Sequence, residues 1–174
     1  MIKSFRKIFE EKILELGFSF SFQNEGFYVL YDKNRFLTVQ LLISEPPESL
    51  IHVSKIGIDI QAIGLFKINQ PLFDQGPDFY AFMFQNSYNQ RIEYLIIPND
   101  ELMRRLNLRI FETKRKKSLR LVFWLLPDNS IYHTTGISVE GEWYFLSKGV
   151  NGRMADKTDL DYTSFLNNWC WLIL

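Results

Sequence analysis

The sequence predicts a mixed α/β (α+β) domain whose central mixed sheet is flanked by helices. A helical spacing of apolar residues before Gly17 changes there to strict alternation, which is typical of a helix followed by a strand. Two later apolar runs, 78–84 and 92–97, have the length of core strands, and the second runs directly into a helix start. With 174 residues the chain has the length of one domain, 1–174. We divide it into a core, 1–110, and a C-terminal extension, 111–174.

The first half predicts a helix, a strand and a hairpin. Apolar residues three or four apart predict an amphipathic helix over 2–16, and Gly17 suits its C-terminal end. The alternation Phe18-Ser19-Phe20-Ser21-Phe22 predicts a strand. The runs 26–31 and 35–43 flank the turn residues Asp32-Lys33-Asn34, so we expect a hairpin that ends before Pro46-Pro47.

The second half predicts further strands and two helices. Runs 51–53 and 56–65 are strand candidates, with Gly64 as a bulge, and 69–77 reads as a loop. Runs 78–84 and 92–97 predict neighbouring core strands, and Asn99 is expected to cap the helix that follows. The extension predicts a strand at 119–126, a hairpin over 131–146 and a closing helix. The apolar face of that helix carries Tyr162, Phe165, Leu166, Trp169, Leu172 and Ile173.

Composition excludes several classes of protein. The chain is 47% hydrophobic and has 16 Phe, 8 Tyr and 4 Trp, which excludes wholesale disorder. Twenty Lys plus Arg balance twenty Asp plus Glu, so any charged partner must be recognised by a local patch. Cys170 is the only thiol, which excludes an intramolecular disulfide and favours a reducing cytoplasm. No apolar run approaches the roughly 20 residues of a membrane span, and we expect no membrane association.

Two stretches resemble the restriction-endonuclease-like, or PD-(D/E)XK, nuclease superfamily. The run GFYVLYDKNRFLTVQLLIS, residues 26–44, looks like the metal-binding hairpin of that superfamily. The runs DFYAFMF, residues 78–84, and YLIIPNDEL, residues 94–102, resemble the later strands and helix of its small members. The resemblance covers residue 1 to about residue 106. It implies a nuclease-like core with an extra C-terminal hairpin and closing helix.

The residues that such nucleases use for catalysis are replaced in this hairpin. In the superfamily one strand carries an acidic residue, and the next carries an acid or glutamine followed two residues later by lysine. The carboxylates hold a divalent cation beside the scissile phosphate, and the lysine stabilises the developing charge or positions the attacking water. Superposition puts Tyr28 or Phe27 at the first position, Gln40 at the second and Leu42 at the lysine. Tyrosine is a poor magnesium ligand near neutral pH, and leucine offers neither charge nor hydrogen bond. The resemblance therefore implies a pseudo-nuclease that binds no metal or other cofactor.

An active site built from relocated carboxylates is the alternative. Glu11, Asp32 and Asp59 would supply the acids and Lys67 the cation, with Mg²⁺ or Mn²⁺ as cofactor. Asp32 lies where a turn is expected, and turn aspartates commonly bond the backbone instead. Asp59 lies on a predicted strand, where a polar residue often simply faces solvent.

The clearest electrostatic feature is a basic patch between residues 104 and 120, opposed within that span only by Glu112. Such a patch can bind nucleic-acid phosphates, or it can be a solvated helix end. Its eight members are Arg104, Arg105, Arg109, Lys114, Arg115, Lys116, Lys117 and Arg120.

These observations favour a non-enzymatic binding or accessory protein of the cytoplasm that contacts nucleic acid through the basic patch. A metal-dependent nuclease with relocated carboxylates is one alternative. A third hypothesis is an interaction subunit that binds a protein partner, or a second copy of itself, through the aromatic C-terminal helix.

Overall fold

The fold consists of two β-sheets packed face to face, with one long helix on each side of the larger sheet. A computed structural model describes residues 4–45, 60–69, 76–110, 118–134 and 160–173. Its elements are α1 (Phe5–Glu15), β1 (Ser19–Phe22), β2 (Phe27–Tyr31), β3 (Phe36–Ile43), β4 (Ala62–Asn69), β5 (Phe79–Gln85), β6 (Ile92–Pro98), α2 (Asn99–Ile110), β7 (Ser118–Leu125), β8 (Ile131–Thr134), a 3₁₀ turn (Thr163–Phe165) and α3 (Cys170–Ile173).

The larger sheet has the strand order β1-β2-β3-β5-β6, so β3 is its central strand. Strands β1, β2 and β3 form an antiparallel meander, β3 and β5 are parallel, and β5 and β6 are antiparallel. The sheet is therefore mixed, as predicted, and the predicted hairpin 26–43 lies at its centre. The connection between the parallel strands β3 and β5 passes through β4, which belongs to the smaller sheet, of order β4-β7-β8.

Helix α1 covers one face of the larger sheet. Ser4 caps its start, because the hydroxyl accepts a hydrogen bond from Lys7 N. Its end is a Schellman turn in which Gly17, at φ +85°, donates to Leu14 O, and Phe18 N donates to Ile13 O. The helix buries Phe9 and Ile13 in the α1-side core. The remaining buried members of that core are Phe18, Tyr28, Leu30, Val39, Leu41, Ala81, Met83, Tyr94, Ile96 and Leu172.

The smaller sheet and α2 cover the other face, whereas the sequence predicts a sheet flanked by helices. Alternate residues of β5 divide between the two faces, since Ala81 and Met83 join the α1-side core while Phe82 and Phe84 join the inter-sheet core. The rings of Phe66, Phe82 and Phe123 meet there, with centroids 4.9–6.0 Å apart. The core is completed by Ala62, Ile68, Tyr80, Leu95, Ile97, Leu102, Leu106, Leu121, Leu125, Ile131, Tyr162 and Phe165.

Three local predictions in β4 and α2 are wrong. Gly64 is not a bulge, because β4 pairs with β7 in unbroken register, and a Cβ there would lie 2.6 Å from the Phe66 ring. Strand β4 also continues to Asn69, four residues past its predicted end at Leu65. Asn99 does not cap α2 with its side chain, since its buried Oδ1 accepts no hydrogen bond. Runs 51–53 and 56–59 and the hairpin beyond Thr134 lie outside the described residues.

The predicted closing helix is also wrong. Residues 160–173, here called the C-terminal segment, form a 3₁₀ turn and a one-turn helix, joined by irregular chain in which Asn167 has a φ of +50°. The segment contacts the edges of both sheets, through bridges from Asp161 to Tyr132 of β8 and from Leu166 to Leu95 of β6. Its apolar residues consequently divide between the two cores instead of sharing one helix face.

Candidate functional site

The register of the central hairpin places its predicted site residues on opposite faces. Phe27 is directly opposite Gln40 in the β2–β3 pair, and Tyr28 is opposite Val39. Partners in a ladder share a face and neighbours in a strand alternate, so Phe27, Gln40 and Leu42 face the smaller sheet. Tyr28 faces α1. Of the two residues proposed for the acidic position, only Phe27 shares a face with Gln40.

Tyr28 serves the packing of α1 against the sheet. Its hydroxyl donates to Glu10 Oε1 over 3.0 Å, and its ring meets Phe9 edge to face at 5.1 Å. Burial, followed by the hydrogen bond to Glu10, raises the pKa of Tyr28 to about 12. The phenol therefore stays protonated near neutral pH, where a metal ligand would have to be ionised.

Gln40 and Leu42 also have structural roles. The buried Gln40 amide donates to Glu25 O over 2.6 Å and so holds the turn before β2. Gly26 follows in that turn at φ +80°, and a Cβ there would lie 2.5 Å from Leu41 O. Leu42 is partly buried and packs against the inter-sheet core.

The alternative carboxylates do not come together in the described residues. Asp32 caps the β2–β3 turn, accepting from Asn34 N over 2.8 Å and pairing with the Arg35 guanidinium over 3.1 Å. These hydrogen bonds lower the pKa of the Asp32 carboxyl, and the one from Asn34 N has the largest effect. Glu11 lies on α1, across the sheet from Gln40, and Asp59 is outside the described residues. No group of three or more His, Cys, Asp or Glu side chains within the described ranges is placed to hold a metal ion.

The buried polar atoms Tyr80 Oη and Asn99 Oδ1 lack hydrogen-bond partners, and no sequence pattern predicts this. Tyr80 is the register partner of Gln40 across the parallel β3–β5 pair, and its fully buried hydroxyl makes no hydrogen bond. Burial raises the pKa of Tyr80 to about 12. The second atom is Asn99 Oδ1, at the start of α2. The apolar run that predicts β5 does not distinguish Tyr80 from the phenylalanines beside it.

Another buried polar cluster lies at the opposite end of β6. The Glu93 carboxylate, 9% exposed, accepts from Asn167 Nδ2 over 2.6 Å and, more weakly, from Asn86 Nδ2 over 3.4 Å. Asn86 Nδ2 also lies 3.4 Å from Gln61 Oε1. The cluster links the β5–β6 turn to the start of β4 and to the C-terminal segment, so it serves the joining of the two sheets.

Arg104 and Arg105 of the predicted basic patch share one carboxylate. Arg104 binds both oxygens of Glu101, over 2.8 and 2.9 Å, and Arg105 binds Oε1 over 2.6 Å. These hydrogen bonds lower the pKa of the Glu101 carboxyl to about 2, and those from Arg104 have the largest effect. The guanidinium of Arg105 also bonds Asp161 O and lies 4.7 Å from the centroid of the Tyr162 ring. Arg105 is thus an internal anchor for the C-terminal segment, with its side chain only 10% exposed.

Arg120 has a cationic neighbour that was not assigned to the patch. Lys67 on β4 lies directly opposite Arg120 on β7, and both residues are exposed on the outer face of the smaller sheet. We call these two residues the basic pair. Neither forms an ion pair with any carboxylate of the described residues. The side chain of Arg109, and Lys114, Arg115, Lys116 and Lys117, lie outside the described part.

The aromatic residues assigned to a protein interface are partly internal. Trp169 packs on the α1-side core, with its ring 4.7 Å from Tyr94 and 6.2 Å from Phe9. Trp171 and Ile173 are 37% and 50% exposed. Residues 160–173 do not form the continuous helical face that the self-association hypothesis requires. That hypothesis therefore depends on the exposed Trp171 and Ile173.

Comparison with protein-family models, with curated proteins and with solved structures finds no match to this chain. Within the described ranges, no helix has the length and apolar character to cross a membrane.

Proposed function

We propose that this protein binds nucleic acid through a basic surface at the end of the smaller sheet and does not cleave it. The observation that carries the proposal is the basic pair, in which Lys67 and Arg120 face each other across neighbouring strands. Like charges directly opposite in an antiparallel pair destabilise it, by roughly 0.2–1 kcal/mol. An anion bound between them removes that cost, and a phosphate group matches the charge and the hydrogen-bonding capacity of both side chains.

The sequence adjoining the basic pair extends the positive charge. Ser118, the first residue of β7, pairs with Asn69 two residues from Lys67. The run Lys114–Lys117 precedes Ser118 directly in the sequence. These four cations lie outside the described residues and enter the proposal as charges adjacent in sequence. Cations that contact a polyanion displace its counterions and bind it without regard to sequence.

The central hairpin supports binding without cleavage. We propose a restriction-endonuclease-like core in which Phe27, Gln40 and Leu42 stand at the positions that such nucleases use for catalysis. These side chains provide no carboxylate to hold a cation and no ammonium group to stabilise the developing charge. The single cysteine supports a reducing, cytoplasmic setting for this accessory role.

The test is charge reversal of the basic pair. Lys67→Glu/Arg120→Glu should weaken binding to a fluorescent DNA duplex at least about tenfold and reduce the slope of log K against log salt by about 2. The matched control is Lys7→Glu/Lys33→Glu, which makes the same charge change at two exposed sites, on α1 and in the β2–β3 turn. Equal affinity of the two double variants would overturn the proposal, with thermal unfolding confirming that each is folded.

Incubation with plasmid DNA and Mg²⁺ or Mn²⁺ tests the relocated-carboxylate alternative. We expect no cleavage. Cleavage that Asp59→Ala or Asp32→Ala abolishes would overturn the non-catalytic part of the proposal.

A further inference from the structure

The turn between β5 and β6 exposes an aromatic ring and a cation three residues apart in sequence. Tyr88 is 82% exposed, the highest value among the large hydrophobic side chains of the described residues. Arg91, three residues later, is also exposed. No described residue contributes a ring contact to Tyr88 or a carboxylate to Arg91. Both groups are therefore open to a ligand.

Hydrogen bonds to the buried Asn86 hold this turn in one conformation. Asn86 Oδ1 accepts from Tyr88 N over 3.0 Å, and the main chain of Asn86 bonds Gln90 N and Arg91 O, each over 2.8 Å. Ser87 N donates to Gln61 O over 3.1 Å, which fixes the turn to the start of β4. An aromatic side chain on a rigid turn loses little conformational freedom when it binds, so more of its contact energy contributes to affinity.

The turn lies at the other end of β4 from the basic pair. Gln61, which contacts the turn, and Lys67 are six residues apart, or about 20 Å along an extended strand. A polyanion longer than about 20 Å is therefore long enough to span the distance between the basic pair and the turn.

We infer that the Tyr88–Arg91 turn binds an unpaired nucleotide, so that the nucleic acid this protein prefers is single-stranded. The Tyr88 ring stacks on the base and Arg91 neutralises the adjacent phosphate. In a duplex the faces of the bases are covered by their neighbours, whereas an unpaired base offers a face to an aromatic side chain. The inference rests on the proposed function, since the basic pair supplies the remaining phosphate contacts.

The experiment compares Tyr88→Ala and Tyr88→Phe with the unchanged protein on two probes. One is an oligothymidylate of about 20 nucleotides, longer than the roughly 4–16 that one single-strand-binding domain covers. The other is a duplex of equal length at the same ionic strength. Stacking contributes about 1–3 kcal/mol per base, so Tyr88→Ala should weaken binding to the oligothymidylate roughly 5- to 150-fold. Tyr88→Phe retains the ring and should bind within about twofold of the unchanged protein. Duplex affinity should not change in either variant.

Three outcomes separate this inference from the proposed function. Unchanged single-strand affinity in Tyr88→Ala, with a loss in the basic-pair variant, overturns the inference alone. An equal loss on both probes also overturns it, since the turn then does not recognise unpaired bases. A loss specific to the single strand in Tyr88→Ala, with none in the basic-pair variant, supports the turn as a single-strand site and overturns the basic pair as the main contact.

Discussion

Asn167 pairs with Tyr94 as one strand residue pairs with another, although Asn167 belongs to no strand. Its main-chain N donates to Tyr94 O over 2.7 Å, and its side-chain Oδ1 accepts from Tyr94 N over 3.0 Å. The same arrangement occurs at the edge of the smaller sheet. Ile131 O accepts from Tyr162 N over 2.8 Å, and Ile131 N donates to Thr163 Oγ1 over 3.0 Å. A side-chain oxygen thus replaces a main-chain carbonyl at both places.

Removing the Asn167 side chain should destabilise the fold. Asn167→Ala leaves Tyr94 N without its acceptor and Glu93 without its closest donor, and it places alanine at φ +50°. We expect a loss of about 2–4 kcal/mol in the free energy of unfolding, measured by urea titration. Asn167→Gly makes the same deletion without the backbone strain and should lose about 1–2 kcal/mol less. A loss below about 0.5 kcal/mol in both variants would show that the pairing contributes nothing.

Stability should fall at alkaline pH because three buried tyrosines resist ionisation. Burial raises the pKa values of Tyr28, Tyr80 and Tyr94 from 10.0 to about 12 in the fold. Below pH 10 these phenols are protonated in both states, so their contribution to stability is fully present. Above pH 10 the unfolded chain releases these protons first, and stability declines until the pH reaches about 12. Urea titrations across this range measure the decline.

Tyr80→Phe is the control for this pH dependence. It removes the share of the decline that Tyr80 contributes and leaves every other ionisable group of the chain in place. An identical pH dependence in the variant would contradict the assignment.

Two glycines with similar backbone angles should respond differently to alanine. Gly17 and Gly26 have φ of +85° and +80°. A Cβ at Gly17 meets nothing within 4 Å, so Gly17→Ala should cost only the backbone strain of about 1–2 kcal/mol. At Gly26 the Cβ would overlap the main chain at Leu41 O, adding about 1–3 kcal/mol. Equal losses in thermal or urea unfolding would show that the hairpin adjusts without cost.

Arginine-to-lysine exchange should distinguish Arg104 from Arg105. Lysine at 105 cannot bond Glu101 and Asp161 O together or lie flat against the Tyr162 ring, so we expect a loss of about 1.5–3 kcal/mol. Arg104→Lys changes an exposed ion pair and should lose at most about 1 kcal/mol. Urea unfolding of both variants measures the difference. A larger loss at 104 than at 105 would contradict the assignment of Arg105 as the internal anchor.

The sequence predicts local elements well because their signals are local. The helix ending at Gly17, the hairpin around Asp32 and the two apolar strands follow from spacing and turn chemistry, and the structure confirms them. The division into two sheets depends on the pairing of β4 with β7, whose paired residues lie 49 to 63 positions apart in sequence, and no local pattern records such a pairing. The closing helix fails for a related reason. The apolar spacing of residues 162–173 suits a helix. The side chains of Asn167 and Asn168 instead form hydrogen bonds with main-chain groups, and the predicted helix does not form.

The candidate site was less accessible to sequence reasoning. The span 104–120 begins after Glu101, so its net charge omits the carboxylate that pairs with Arg104 and Arg105 one helical turn away. The basic pair was missed because Lys67 and Arg120 are adjacent only through strand pairing. Alternation along β4 indicates that Lys67 faces away from the core, but not which residue stands beside it.

The double attachment of the C-terminal segment has a consequence for how the native state opens. Tyr94 and Ile131 belong to different sheets, yet the amide of each is bonded to a side chain of the same short stretch. Lifting that stretch exposes both amides to solvent in one event. Their deuterium uptake under native conditions should therefore follow a single rate, and Asn167→Gly should accelerate exchange at Ile131 as well as at Tyr94.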